Sequence, residues 1–457
     1  MSNLTLEKLT NFCKDNGFIF SGSEIYGGLA NTWDFGPVGV EIFENLKRAW
    51  WKTFVQQNDN TFGVDASIFM NSKVWEASGH VGSFNDPKVD CKSCKARHRA
   101  DNLIEAHSKN TVDADALTYE QMDQYIKDKK VVCPKCGKAD FTVTRKFSQM
   151  LNTTTGVTDE NQNLIYLRPE TAQGQFVNFL NVQRTMRAKV PFGIAQIGKA
   201  FRNEVTPGNF LFRTFEFTQM EHQLFCHSKD AMDFYELYKQ RALNFLLSIG
   251  VKKENLRFKD HSKLSHYAKA ACDIQYNFPM GWQELNGIHH RSAFDLTQHS
   301  QFSGKSLEYF DPFTNEKYIP TVIENSIGAT RLFMAVVSDA YNQEKKENGE
   351  ERIVLKIHPA IAPYKVAVLP LIKKNHGEKA KEVVGALNKN FMVATDEAGS
   401  IGKRYSRQDE IGTPFCLTID EESLTKNTYT LRERDSMKQE RLTLDQIILK
   451  VLKSTTL

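Results

Sequence analysis

The sequence lacks any apolar run long enough to span a membrane. It also lacks a basic N-terminal segment followed by an apolar one, so its beginning predicts a cytoplasmic protein without a secretory signal. Internal repeats and low-complexity tracts are absent, and a net charge of +4 permits a nucleic-acid partner without requiring one. What remains is an ordinary globular chain of 457 residues, long enough for two or three domains.

Cysteine is scarce, but half of the eight cysteines form two pairs, Cys91–Cys94 and Cys133–Cys136. Two thiolates with this spacing can face one ion, and two such pairs complete a tetrahedral zinc site. The 38 residues between the pairs must hold structure of their own, and residues 119–128 have a helical pattern. The sequence therefore predicts a small inserted domain at 88–145 with a structural zinc ion. Four reduced thiols without a metal are the alternative.

The residues outside this insertion fall into two further units. Segments 1–87 and 146–345 have core-like patterning and are predicted to form one large domain. After a connection at 346–360, strands alternate with helices over 361–457, which predicts a compact α/β domain. The charged string EKKENGEER, at 344–352, is predicted to be a solvated part of that connection.

Charged residues recur among aromatic ones in FRNEVTPGNFLFRTFEFTQMEHQLF, residues 201–225. Pro207-Gly208 predicts a turn between two strands, and alternation along the second strand places Arg213, Phe217 and Glu221 on one face. Guanidinium groups suit phosphate oxygens, and a carboxylate suits an ammonium group or an exocyclic amine. The pattern therefore favours a nucleotide site, with ordinary ion pairs on a hairpin as the alternative.

This spacing resembles motif 2 of the class II aminoacyl-tRNA synthetases, and ENSIGATR at 324–331 resembles their motif 3. Longer strings resemble the homodimeric type of glycyl-tRNA synthetase, in the family's order and over nearly the whole chain: YGGLANTWDFGPVGVEIFENLKRAWW, SGHVGSFNDP, LRPETAQGQFVNF, GWQELNGIHHRSAFDLTQHSQFSGK and GSIGKRYSRQDEIGTPFC. The resemblance implies an α+β class II catalytic domain, an antiparallel sheet flanked by helices. It also implies that 88–145 is a small inserted four-cysteine domain and 361–457 an α/β anticodon-binding domain.

The resemblance also implies roles for individual residues. Arg202 and Arg331 would be catalytic, because they would hold the phosphates of ATP while Mg²⁺ accompanies the nucleotide. The implied ATP-binding residues are Arg202, Asn203, Glu204, Phe212, Arg213, Phe217, Glu284, Leu285, Gly328 and Arg331. The implied glycine-binding residues are Arg99, Glu170, Gln219, Glu221, Glu324 and Ser326.

The implied reaction joins glycine to tRNA-Gly through a glycyl-adenylate. Segment 26–57, which resembles motif 1, would build a homodimer. Alternatives are a class II enzyme for proline or threonine, a non-catalytic nucleic-acid-binding relative, and a zinc-ribbon regulator, which would explain under a quarter of the chain. His289 and His290 suggest catalysis, but a hydrogen-bonded loop pair near the ATP site is the favoured interpretation.

Overall fold

A computed structural model describes residues 4–457, apart from 110, 157–162, 206–207, 262–263, 265–267, 346–348 and 350. Within those described ranges, every helix is too short or too polar to cross a membrane.

The secondary structure is mixed throughout the chain. The described strands are β1 (Ile19–Ser21), β2 (Trp33–Phe35), β3 (Thr61–Gly63), β4 (Asn85–Asp90), β5 (Arg97–Arg99), β6 (Arg145–Ser148), β7 (Asn152–Thr155), β8 (Asn163–Tyr166), β9 (Phe192–Phe201), β10 (Glu216–Cys226), β11 (Leu256–Asp260), β12 (Ala270–Phe278), β13 (Gly281–Ser292), β14 (Tyr309–Phe310), β15 (Lys317–Tyr318), β16 (Thr321–Gly328), β17 (Tyr341–Lys345), β18 (Glu351–Leu355), β19 (Val366–Pro370), β20 (Val393–Thr395), β21 (Phe415–Ile419), β22 (Thr428–Glu433) and β23 (Gln439–Thr443). The described α-helices are α1 (Leu6–Asp15), α2 (Pro37–Trp51), α3 (Ser72–Ala77), α4 (His80–Ser83), α5 (Ala100–Ser108), α6 (Tyr119–Asp128), α7 (Ala172–Val177), α8 (Phe179–Met186), α9 (Ala231–Ser248), α10 (Phe294–Ser303), α11 (Ala329–Ala340), α12 (Lys373–Leu387), α13 (Ile401–Ile411), α14 (Glu421–Lys426) and α15 (Leu444–Ser454).

Seven strands form the central sheet, in the order β11-β12-β13-β16-β10-β9-β3. All neighbours are antiparallel except β3 and β9, so the predicted antiparallel sheet is confirmed. Side chains alternate between the faces of a strand. On β10 and β16 the apolar Met220 and Ile327 therefore join the main core, while Glu221 and Ser326 lie opposite each other on the other face.

Helices cover both faces of this sheet. The main core packs α2, α9 and α11 against one face, and a second core packs α7, α8 and α10 against part of the other. Helix α2 begins with Pro37 in its first turn, where a missing N–H costs nothing. Gly39 is needed beside it, because a Cβ there would overlap the carbonyl oxygen of Phe18. The uncovered part of the second face is where polar residues collect.

The cysteine pairs belong to a small unit with its own core. Its three-stranded sheet has the order β5-β4-β6, and helices α5 and α6 pack beside it. Helix α6 coincides with the helical pattern at 119–128 and begins with a capping box between Thr118 and Gln121. The sheet starts at Asn85 and ends at Ser148, so position 88 falls inside the central strand β4 and position 145 is the first residue of β6.

The C-terminal unit has a five-stranded sheet in the order β20-β19-β21-β22-β23, in which the first three strands are parallel. In the segment before it, the described ends of the predicted solvated connection are strands, although Lys345 and Glu351 are exposed as predicted. Strands β17 and β18 form an antiparallel pair there, and Arg352 makes a 2.8 Å ion pair with Glu344. The described ends of the charged string pair because opposite charges face each other across the two strands, Glu344 with Arg352 and Lys345 with Glu351.

Asp409 joins this strand pair to the C-terminal unit. It is 1% exposed and forms two hydrogen bonds with Arg432, at 2.8 and 2.9 Å, and a 3.3 Å contact with Arg352. We expect Asp409→Ala to destabilise the C-terminal unit by about 3–5 kcal/mol, because it leaves a buried guanidinium unpaired. Hydrogen exchange of the β21 and β22 amides measures this loss.

Glu378→Ala is the matched control, because Glu378 pairs with Lys381 on the surface. We expect its effect to stay within about 1 kcal/mol. Equal losses in the two variants would contradict the role assigned to Asp409.

Candidate active site

A cavity of about 580 Å³, counting space open to solvent, lies where β9 ends, β10 begins and β16 ends. The strand ends and the connection between β9 and β10 bring its walls together. Its lining residues are Arg202, Glu204, Phe212, Arg213, Thr214, Phe217, Gln219, Glu284, Ser326, Gly328, Thr330 and Arg331. Most of the residues implied for ATP, and two of those implied for glycine, therefore meet here.

Two guanidinium groups are held at this cavity by backbone carbonyls. Arg202 donates from Nε to Pro169 O at 3.1 Å, and its guanidinium carbon lies 5.4 Å from the ring centre of Phe217. Arg331 donates from Nε to Phe212 O at 3.2 Å and makes a 3.2 Å ion pair with Glu284. A guanidinium carries five N–H donors, so these contacts orient each group while using only part of its capacity.

Phe217 and Glu221 share one face of β10, as predicted, but the charged residues of the site that precede them do not lie on strands. Arg202 and Glu204 follow the last residue of β9, and Arg213 precedes the first residue of β10. The chain cannot stay extended there, because Asn209 and Phe210 adopt left-handed backbone angles, with φ of 56° and 58°. The connection instead brings Arg213 within 3.4 Å of Glu204.

Three of the implied site residues belong neither to the cavity lining nor to the carboxylate cluster beside it. Asn203 donates from its side chain to Ser148 O at 3.2 Å. Leu285 is 1% exposed and packs in the main core, because it is the extra residue of a bulge between β12 and β13. Arg99 pairs with Asp86 at 2.9 Å and with Asp101 at 3.1 Å, both in the inserted unit.

Beside the cavity, on the same face of the sheet, lies a cluster of three carboxylates: the buried Glu221 and Glu324 and the half-buried Glu170. Glu221 is 3% exposed and accepts hydrogen bonds from Thr171 N at 3.1 Å and Ser326 Oγ at 2.8 Å. Gln219 joins through its Oε1, which accepts from the same Thr171 amide at 3.2 Å. Glu221 thus receives these hydrogen bonds from neutral groups.

The other two carboxylates have cationic or ionisable partners. Glu324 lies 2.7 Å from His289 Nδ1 and 3.2 Å from Arg291 Nη1. Glu170 lies 3.4 Å from His80 Nε2. Sequence reasoning missed Arg291, His80 and the pairing role of His289, although Arg291 and Asp295 are oppositely charged and stand four residues apart. His289 and His290 are hydrogen bonded as predicted, but they lie on β13, so the predicted loop placement is wrong.

These surroundings separate the three carboxyl groups electrostatically. Burial, and then the charges of Glu324 and Glu170, raise the pKa of Glu221 to about 7. Burial also opposes ionisation of Glu324, but Arg291 and His289 outweigh it and lower its pKa to about 2. Burial is likewise outweighed for Glu170, whose pKa is lowered by His80 and Arg291. Glu221 is therefore the member of the cluster that a positively charged ligand would stabilise most.

The four paired cysteines form a second candidate site. Their sulfur atoms all lie within 4.8 Å of one another, with Cys91–Cys136 and Cys94–Cys133 both at 3.7 Å. Zinc–sulfur bonds of about 2.3 Å place tetrahedral sulfurs about 3.8 Å apart, so this donor set fits the ion. Each pair is followed by a residue with left-handed backbone angles, Lys95 or Gly137. The tight turn that this residue closes directs both thiols of the pair inward.

Comparison with known proteins identifies the class first. Residues 152–341 match the tRNA synthetase class II core domain (G, H, P, S and T), and residues 365–454 match the anticodon binding domain. The fold is thus that of a class II aminoacyl-tRNA synthetase with its anticodon-binding unit.

Full-length similarity is more specific. The chain is 55% identical to glycine–tRNA ligase of Acetivibrio thermocellus, 54% to that of Clostridium kluyveri and 55% to that of Geobacillus kaustophilus. Each match covers 97% of this chain and 97% of the relative. The chain therefore belongs to the glycine–tRNA ligase family, and the resemblance found in the sequence is confirmed.

The raised pKa of Glu221 predicts pH-dependent stability in the ligand-free protein. Its pKa of about 7 exceeds the ordinary value of 4.5, so its contribution is fully present below pH 4.5 and is lost as pH rises through 7. Glu221→Gln abolishes this titration. Between pH 5 and pH 8, we expect the unfolding free energy of the variant to gain on the order of 1–3 kcal/mol relative to wild type.

Urea unfolding at the two pH values gives this difference. Glu216→Gln, an exposed change on the same strand, serves as the control and should show no pH-dependent gain. The electrostatic assignment fails if the two variants have the same pH profile.

Proposed function

We propose that this chain attaches glycine to tRNA-Gly by way of a glycyl-adenylate, with release of pyrophosphate and AMP. Family membership supports the reaction, and the juxtaposition of a buried carboxylate cluster with an arginine-lined cavity supports the substrates. The single observation that carries glycine is Glu221, a buried carboxyl that forms no ion pair within the described residues. An amino acid's ammonium group supplies the missing charge.

The cavity residues suit the first step. In the proposed complex, Arg202 binds the α-phosphate and Phe217 stacks on adenine, while Glu204 accepts from the adenine amino group. A carboxylate oxygen of glycine forms a bond to the α-phosphorus as the bond to the pyrophosphate oxygen breaks. Arg202 neutralises charge that develops during this in-line displacement, so no nucleophilic side chain is needed.

Arg213 and Arg331 bind the γ-phosphate end in this proposal. Both are paired with carboxylates, Glu204 and Glu284, so phosphate binding exchanges partners within pre-oriented groups. Mg²⁺ bound with ATP supplies further positive charge to the phosphates. Glu284 lines the cavity, and its carboxylate oxygens are the kind of ligand that Mg²⁺ prefers.

Glycine is selected by a pocket crowded with buried carboxyl groups. Glu221 takes the ammonium group, with Glu170, Glu324, Gln219 and Ser326 around it, and the crowding leaves no room for a Cβ. Because nothing smaller than glycine competes, this exclusion suffices without an editing step.

The side chains of three implied residues do not contact the proposed substrates directly in this conformation: Arg99, Asn203 and Leu285. Asn203 and Leu285 contribute through backbone groups, because their side chains are engaged elsewhere. Arg99 reaches glycine only when the inserted unit approaches the cavity. Burial raises the pKa of its partner Asp86 and the charge of Glu204 adds to this, so the inserted unit already borders the nucleotide site.

The assembly proposed is a cytoplasmic homodimer built on segment 26–57. The adjoining loop supports an interface there, because Ile25, Tyr26 and Leu29 are 89%, 86% and 63% exposed. Contiguous exposed apolar side chains mark interaction surfaces. In this assembly the unit from 361 onward reads the anticodon of tRNA-Gly.

The proposed activity predicts that the purified protein exchanges pyrophosphate into ATP with glycine, and that it charges tRNA-Gly. Proline and threonine are the decisive comparisons, since class II enzymes for them share the core fold. Exchange with either of these and none with glycine would refute the substrate. Absence of exchange with every amino acid would favour a non-catalytic relative.

The Arg202→Ala variant tests the role of this site in the same pyrophosphate-exchange assay. We expect exchange to fall by roughly 10²–10³-fold, as for loss of one oriented donor to a developing charge. Lys199→Ala is the matched change, because Lys199 forms an exposed pair with Glu216 and lies two residues before the end of β9. Unchanged exchange after Arg202→Ala would remove the phosphate role.

For the four-cysteine site we propose a structural zinc ion held by Cys91, Cys94, Cys133 and Cys136. His98 Nε2 lies 3.3 Å from Cys133 Sγ, where a ring N–H would support the thiolate. We expect one zinc per chain by elemental analysis, and loss of the metal in Cys133→Ala. Cys272→Ala, which removes a buried thiol elsewhere, should keep it. A metal-free wild-type protein with a folded inserted unit would refute the site.

A further inference from the structure

Behind the carboxylate cluster lies a buried polar network that does not line the cavity. Arg291, 5% exposed, donates from Nε and Nη2 to Asp295 at 2.8 and 2.9 Å. Its Nη1 contacts both oxygens of Glu324 at 3.3 and 3.2 Å. Asp295 is 1% exposed and lies in the first turn of α10, where the helix dipole favours a negative charge. One guanidinium is therefore shared between a carboxylate of the cluster and one outside it.

A second branch of the network reaches Glu170. Gln173 is completely buried and lies 2.8 Å from Glu170 Oε1 and 3.4 Å from Asp295 Oδ1 through its Nε2. Its Oε1 lies 2.8 Å from His299 Nε2. An amide nitrogen carries two donors and a carboxylate only accepts, so this orientation satisfies every partner when His299 carries its proton on Nε2. Asp295 thus links Glu324, on a strand, to Glu170, before a helix.

We propose that Asp295 is a positioning residue for glycine recognition, an inference that rests on the proposed function. Through Arg291 and Gln173 it sets the spacing of Glu324 and Glu170. Its charge also balances that of Arg291, so the guanidinium orients Glu324 without cancelling the negative charge that the cluster offers to the ammonium group. Asp295 itself touches neither substrate.

The test is Asp295→Asn, which keeps the shape of the side chain and removes its charge. The positive charge of Arg291 then falls on Glu324, and the cluster attracts an ammonium group less. In glycine-dependent pyrophosphate exchange we expect the KM for glycine to rise about 10–100-fold, while the KM for ATP and kcat stay within about twofold. Gln173→Met, which removes both donors, should also raise the KM for glycine.

Asp339→Asn is the control, because Asp339 is a similarly buried aspartate that accepts from Lys252 N at 2.7 Å and Tyr276 Oη at 3.1 Å, away from the cluster. We expect it to lower the unfolding temperature and leave the KM for glycine unchanged. A glycine KM within about twofold of wild type in both Asp295→Asn and Gln173→Met overturns the proposal. So does a parallel fall of kcat with a rise in both KM values, which indicates general loss of structure.

Failure of the proposed function is distinguishable from failure of this inference. Wild-type protein without glycine-dependent exchange refutes the function itself. Wild-type exchange that both variants leave unaltered refutes only the role of Asp295.

Discussion

Three glutamates meet at one face of the central sheet, Glu221 and Glu324 on its strands and Glu170 in the segment before α7. The surrounding structure depends on how their charges are balanced. Adjacent buried carboxylates repel one another, and each is costly to ionise unless a partner compensates. Glu324 is compensated by His289 and Arg291, and Glu170 faces His80. Glu221 has hydrogen bonds from Thr171 and Ser326 but no ion pair in the described chain, so the remaining charge is concentrated where the substrate is proposed to bind.

The two halves of the site are built on different kinds of backbone. The carboxylates stand on or beside paired strands, where β10 is hydrogen bonded on both sides by β9 and β16. The cavity proposed for the nucleotide is bounded in part by the connection between β9 and β10, where Arg202 is oriented by Pro169 O and Arg213 by Glu204. A rigid strand pair suits the proposed exclusion of a Cβ, and groups on a connection suit the proposed exchange of partners when phosphate binds.

The C-terminal unit is attached to the catalytic unit by more than a connecting chain. Ile357, Ile361 and Ala362 are buried in the main core, and Asn45 on α2 donates to the carbonyls of Ile361 and Ala362 at 3.3 and 3.0 Å. Lys365, which belongs to the C-terminal unit, donates to Ala360 O at 2.7 Å. The predicted linker at 346–360 therefore contains strand β18, and the residues at its end pack against the catalytic unit. This packing fixes how the two units are placed relative to each other.

The sequence by itself determined the unit order and the cysteine pairs, which follow from patterning and spacing within short segments. The antiparallel sheet and the expected ligand groups follow from the resemblance of longer strings to a known family. Only the tertiary structure decided that Arg213 lies on a connection, that Leu285 is a bulge residue in the core, and that Glu221 is the carboxylate left without an ion pair among the described residues. His80, Arg291 and Asp295 reach the cluster from segments distant along the chain. Such contacts leave no period in the sequence, because burial and partnership arise only when those segments pack together.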